Sequence, residues 1–249
     1  MKNIILKLKK VVGFLKNRLL LSRIEKRLGR LRYIYENNGS DELIVVFSGF
    51  GTVRKYNYMK TLSESKIDKL FVLDTFGYRG SYYWYENGKD EPNVLCSRLI
   101  EQIRGGYKNV YMAGSSKGGT CAIYYGLKFN VKEVFSSACQ YHVGNYLNTE
   151  NHRRIMEGMM GKNYCSDDVK RVNDELPNMI KSKTQSSTLI NLYYSEKDHT
   201  YQDHIVDLKR DLEAAEIQYT VTTDDYVNHS DNGIYFKEHL KRRFSDNSK

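Results

Sequence analysis

A chain of 249 residues with 40% hydrophobic and 12% aromatic residues can bury a full core as one domain and is too apolar to stay disordered. Its net charge of +9 resembles a nucleic-acid signal until it is mapped: residues 1–32 hold 11 of the 39 lysines and arginines and one of the 30 acids, so they carry +10 and leave −1 for residues 33–249. A neutral body excludes nucleic acid as a partner, and any electrostatic attraction belongs to the N-terminal segment.

In that segment Ile4, Ile5, Leu8, Val11, Val12, Leu15 and Leu19 share one face at 100° per residue. Lys7, Lys9, Lys10, Lys16 and Arg18 break every apolar run, which excludes a signal peptide or a membrane span. The spacing predicts a basic amphipathic helical segment over residues 1–35, its stripe moving to Leu20, Leu21, Ile24, Leu28 and Leu31 at a bend or in a second helix. Two roles stand open for residues 1–32: docking to an anionic membrane surface or a partner protein, and packing on the body with the charges solvated. Cys96, Cys121, Cys139 and Cys165 show neither CxxC nor metal-ligand spacing and read as free thiols of a reducing compartment, hence a cytoplasmic chain, peripheral to the membrane if the helix docks there.

From residue 36 onward apolar runs alternate with helical periods. Strands are predicted at Glu42–Gly51, Lys69–Gly77, Lys108–Gly114, Val131–Cys139, Ser187–Ser195 and Ile217–Asp224. Helices fall at Asn93–Gly105, from Gly118 to about Phe129, over about 201–215, and from about Asn232 to Arg243. Such alternation implies right-handed βαβ units and an α/β three-layer sandwich on a mostly parallel sheet. A longer polar, partly helical stretch at about 141–187 interrupts it and is expected to form a small helical cap.

Between the strand ending at Gly114 and the next helix stands "GSSKGG". Gly114 precedes Ser116 by two and Gly118 follows it by two, the spacing of a nucleophile elbow, in which strand and helix approach so closely that only small residues fit around a strained serine. The helix amides beneath such a serine meet an oxyanion. Lys117 is the expected first backbone donor, and Phe50 or Gly51, in the loop after the first body strand, the second.

A serine hydroxyl needs a base, and the base an orienting acid, in the chain order Ser, acid, His, each at the carboxyl end of a strand. His229, after the last strand, is the expected base and Asp198 the acid, with Glu196, Asp203 and Asp225 as rivals. Asp198, His199, Asp203 and His204 also suggest a metal set. The histidines are five apart rather than four, so they do not share a helical face, and no metal is expected. No phosphate-loop motif occurs, and no cofactor is expected. Tyr82, Tyr83, Trp84 and Tyr85, with Tyr141 and Tyr146, form either an aromatic sugar platform or packing beneath the cap.

These segments resemble the α/β-hydrolase superfamily over about residues 40–245. More narrowly, "LDTFGYRGSYYW", "GSSKGGTCAIYYGLKF", "QYHVGNYL", "YYSEKDHTYQDHI" and "NHSDNGIYF" are similar to a bacterial group associated with surface glycans. It includes the acetyltransferase-like component of the accessory Sec system and relatives encoded with capsular polysaccharide genes. The resemblance implies Ser116 as nucleophile, His229 as base and Asp198 as acid, and keeps Glu196 as an alternative acid. It implies a serine esterase or acyltransferase acting on O-acyl groups of a surface glycan, with a non-catalytic scaffold in a membrane-associated glycan assembly as the other reading.

Overall fold

The computed structural model describes residues 23–50 and 56–245. Eight strands form one sheet: β1 (Lys26–Leu28), β2 (Leu31–Glu36), β3 (Glu42–Phe47), β4 (Asp68–Leu73), β5 (Asn109–Ser115), β6 (Glu133–Ser137), β7 (Leu189–Tyr194) and β8 (Tyr219–Thr223), in the spatial order β1-β2-β4-β3-β5-β6-β7-β8. From β4 to β8 neighbours run parallel, while β1 and β2 add an antiparallel edge.

The helices are α1 (Glu91–Arg104), α2 (Lys117–Phe129), α3 (Val143–Leu147), α4 (Arg153–Met160), α5 (Ser166–Ser182), α6 (Val206–Ala214) and α7 (Asn232–Phe244). A sheet covered on both faces needs apolar residues at every position of its central strands, and β3 shows this. Leu43, Val45 and Phe47 point into the larger core under α2, α5 and α6, and Ile44 and Val46 into a smaller one closed by Phe236, Leu240 and Phe244 of α7. After β3 the chain crosses to β4 on one side, and β5 then enters on the other. The ends of β3 and β5 therefore open a crevice where the winding reverses, the place where α/β sheets bind ligands.

Two expectations are corrected. The predicted helical segment over 1–35 does not extend through its last residues, since 26–28 and 31–36 are strands; residues 1–22, with the proposed docking helix, lie outside the described residues. Leu28 and Leu31, three apart, share a face because they pair across a two-residue turn that Gly29 opens at φ 56°. The cap is shorter than 141–187. Its long helix α5 packs on α2 and α6 and buries Val172, Leu176 and Ile180 completely, so it is the covering helix of the β6-to-β7 crossover. Only the segment with α3 and α4 is inserted.

Candidate active site

β5 ends at Ser115 and α2 begins at Lys117, so one residue turns the chain. That residue, Ser116, has φ 53° and ψ −126°, a region that side chains avoid unless the surroundings impose it. The surroundings do so through absent side chains. A Cβ on Gly114 would collide with the carbonyl of Gly118, one on Gly118 would lie 2.6 Å from Phe47 O, and one on Gly119 would lie 2.8 Å from Ser136 Oγ. Ser116 N–H is tied to Ser137 O of β6 at 2.8 Å. The Lys117 amide, first in α2, has no intrahelical acceptor and adds to the positive end of the helix.

The other two members arrive from the ends of β7 and β8, whose loops are stitched together. Ser195 Oγ donates to Tyr226 O at 2.5 Å, Asp224 N–H to Tyr194 O at 2.8 Å, and Lys197 pairs with Asp225 at 2.6 Å. His229, in a single 3-10 turn before α7, reaches Asp198 Oδ2 with Nδ1 at 2.8 Å and Ser116 Oγ with Nε2 at 2.9 Å. The carboxylate on Nδ1 assigns the proton to that nitrogen, leaving Nε2 to accept from the serine hydroxyl. Asp198 is 2% exposed. Burial pushes its carboxyl upward, but the His229 bond and charge and the Thr200 amide outweigh it and hold it below the ordinary value. Of the rival acids, Glu196 is exposed, Asp225 is held by Lys197, and Asp203 lies 3.6 Å from His199.

Sequence reading missed three features beside the serine. Gln140, fully buried, donates from Nε2 to Ser116 Oγ at 3.0 Å. The Lys117 side chain turns into the protein and pairs with Asp74 at 2.7 Å, both side chains fully buried. Asp74 in turn accepts from the amides of Ser81 and Tyr83, so the ion pair binds the loop after β4 to the elbow. The only sequence sign of it was a lysine among the glycines of a helix start that must be buried. His199, read as ordinary, lies 3.7 Å from Asp198 Oδ1 with its ring 5.3 Å from that of His229. Donor atoms of Asp198, His199 and His229 lie within 4.8 Å of one another, but those of Asp198 and His229 are joined by their own hydrogen bond. The four-residue metal set of the sequence does not come together. His204 is buried beneath this corner, and desolvation, then His142, His199 and His229, lower its pKa to about 4, against Asp203.

Phe50 stands edge-on to Tyr82 at 5.5 Å, beside the elbow; Gly51 lies outside the described residues. The aromatic platform is corrected. Tyr82, Tyr83, Trp84 and Tyr141 are at most 1% exposed and Tyr85 is buried, all in the larger core. Their hydroxyls are satisfied inside, Tyr83 by Val72 O at 2.8 Å and Tyr141 by Asp211 at 2.5 Å. Tyr146 alone is half-buried, stacked on His152 at 4.3 Å. An open groove of about 540 Å³ lies between the loop after β8 and the start of α7, walled by Lys197, Asp225, Asn228 and the exposed Val227 and Ile234, and none of Ser116, Asp198 and His229 lines it.

No family model and no curated protein matches the chain. Among solved structures it is similar to the capsule O-acetyltransferase of Neisseria meningitidis serogroup A, with a TM-score of 0.77 and 24% identity, over 88% of this chain and 93% of that one. A histidine-to-alanine variant of that enzyme in complex with CoA matches with a TM-score of 0.77 at 23% identity, over 89% and 94%. A chain of the glycosylation-associated Gap123 complex from Streptococcus agalactiae gives 0.71 at 17% identity, over 90% of this chain and 46% of that one. FphF, a fluorophosphonate-binding serine hydrolase of Staphylococcus aureus, gives 0.60 at 14%, over 86% and 90%. The likeness establishes an α/β-hydrolase fold.

Proposed function

We propose that this chain is a serine-dependent acyltransferase or esterase whose acyl-enzyme forms on Ser116, acting on O-acyl groups of a bacterial capsular or other surface polysaccharide. The carrying observation is the closed relay from Asp198 through His229 to a strained serine at the positive end of α2. His229 Nε2 takes the hydroxyl proton as Ser116 Oγ attacks the acyl carbon. The oxyanion is held by the Lys117 amide and by an amide of the Phe50–Gly51 loop. Collapse breaks the bond to the leaving group, which receives the proton from His229. A sugar hydroxyl, or water, then gives its proton to His229 and attacks the acyl-serine, and Oγ regains the proton as it leaves. Asp198, ionised and buried, steadies the imidazolium at each transfer.

Two of the similar structures support the glycan reading, since one is named for capsule O-acetylation and its variant is bound to CoA. Acyl-CoA is the donor we assign, and a cytoplasmic site suits it. The scaffold reading finds support in the likeness to the Gap123 chain, but a pure scaffold has no use for a strained serine aligned with a base. The test is acetyl-CoA thiol release with and without a panel of de-O-acetylated capsular polysaccharides. Glycan-stimulated release with new O-acetyl esters, abolished by Ser116→Ala, is expected. Release that survives Ser116→Ala, or a wild-type chain inert toward acetyl-CoA and p-nitrophenyl acetate alike, overturns the proposal.

A further inference from the structure

The nucleophile carries a hydrogen bond that the relay does not explain. Ser116 Oγ has one proton, committed to His229 Nε2, and lone pairs that accept. One of them receives Gln140 Nε2–H at 3.0 Å. We propose that Gln140 is a catalytic residue of this site: its amide stabilises the negative charge on Ser116 Oγ both when the acyl-enzyme forms and when it breaks down. The assignment rests on the acyl-enzyme reading above.

Gln140 is held too firmly for the contact to be incidental. Its backbone N–H donates to Thr120 Oγ1 at 2.9 Å, and Thr120 Oγ1 donates back to Gln140 O at 2.8 Å, which fixes the residue to the elbow helix. Tyr82 OH donates to its Oε1 at 3.3 Å, and the Tyr82 ring is fully buried and stacked on Trp84 at 5.2 Å. The serine assigns the amide orientation: its one proton goes to His229, so Oγ can only accept from Gln140 and the NH₂ end must face it, which leaves Oε1 to the Tyr82 hydroxyl.

Such a donor acts in the chemistry because the charge on its acceptor changes. In the ground state it meets a neutral hydroxyl. During attack the O–H bond breaks toward His229 and one lone pair becomes the new C–O bond, while another keeps the Gln140 bond as negative charge develops. During breakdown the C–O pair returns to Oγ before His229 re-protonates it, and the same bond meets the charge again. Hydrogen bonds to charged acceptors are stronger than those to neutral ones, so the transition states gain more than the resting enzyme. No proton leaves the amide, so the donor works at every pH.

The experiment measures acylation and deacylation separately, by the burst and steady state of p-nitrophenyl acetate turnover and by the rate of fluorophosphonate labelling. Gln140→Ala and Gln140→Glu are compared with wild type and with Ser116→Ala as the unreactive control. Gln140→Ala is expected to slow both steps roughly ten-fold with KM little changed. Gln140→Glu keeps the shape but places an acceptor beside Oγ. It is expected to be slower still at neutral pH, with its rate relative to wild type rising as the pH falls and the carboxyl regains a proton to donate. A purely structural role would not produce that pH-dependent ratio. If Gln140→Ala does not fold, the isosteric Gln140→Glu decides alone. Either folded variant acylating within about two-fold of wild type at neutral pH overturns the assignment. A wild-type chain that never labels overturns the enzymatic reading, and this assignment with it.

Discussion

Ser116 holds a backbone conformation, φ 53° and ψ −126°, that costs on the order of 1–3 kcal/mol and persists only where packing over-determines it. Gly114, Gly118 and Gly119 let β3, β5, β6 and α2 close around it: a Cβ on Gly114 or Gly118 forces backbone apart, and one on Gly119 runs into Ser136 Oγ. Gly114→Ala is therefore expected to destabilise the fold by about 1–3 kcal/mol and to abolish active-site labelling. Gly106→Ala, where an added Cβ meets nothing within 4 Å, should change neither. Thermal melts and probe labelling of the two variants check this; a stable, reactive Gly114→Ala would show that the elbow is not locked by its glycines. At this scale the triad members were legible because an elbow imposes spacing and the fold imposes chain order. Gln140 was not, since one glutamine carries no spacing and its meaning comes from Thr120 and Tyr82 holding it in place. The Lys117 and Asp74 pair was hidden for the same reason, its members standing 43 positions apart in the chain.

Among the elements, apolar period identified the central strands and the covering helices, misjudged two pieces and left a third undecided. The β1–β2 hairpin imitates a helix. Leu28 and Leu31 share a face across the turn, while Leu31 and Ile34 enter opposite cores from a strand covered on both sides. The tyrosine-rich run after β4 left platform and packing both open because each hydroxyl demands a polar partner, and here Tyr82 and Tyr83 find theirs inside the core, in the Gln140 amide and the Val72 carbonyl. Helix α5 reads as lid because its outer face is polar, yet Val172, Leu176 and Ile180 form a fully buried stripe. Leu176→Ala is accordingly expected to cost about 2–5 kcal/mol in denaturant unfolding. A change within about 0.5 kcal/mol would mark α5 as a loosely held cover after all.

For the whole molecule, the doubly wound order of the sheet converts distant sequence into one site. Residues 116, 198 and 229 follow β5, β7 and β8, parallel strands of one sheet, so their side chains emerge at the same edge, beside the loop after β3. The neutral charge of the body, set against the basic residues 1–32, leaves the chemistry to geometry rather than to a broad field. A single observation bears on that geometry most directly: the covalent intermediate itself. Wild-type protein rapidly quenched after mixing with acetyl-CoA or p-nitrophenyl acetate, then digested and mapped by mass spectrometry, should carry one acetyl group on Ser116. The adduct should be missing in Ser116→Ala and strongly reduced in His229→Ala. Continued turnover with the acetyl group on another residue, or with none on Ser116 under conditions that trap acyl-enzymes, would contradict it.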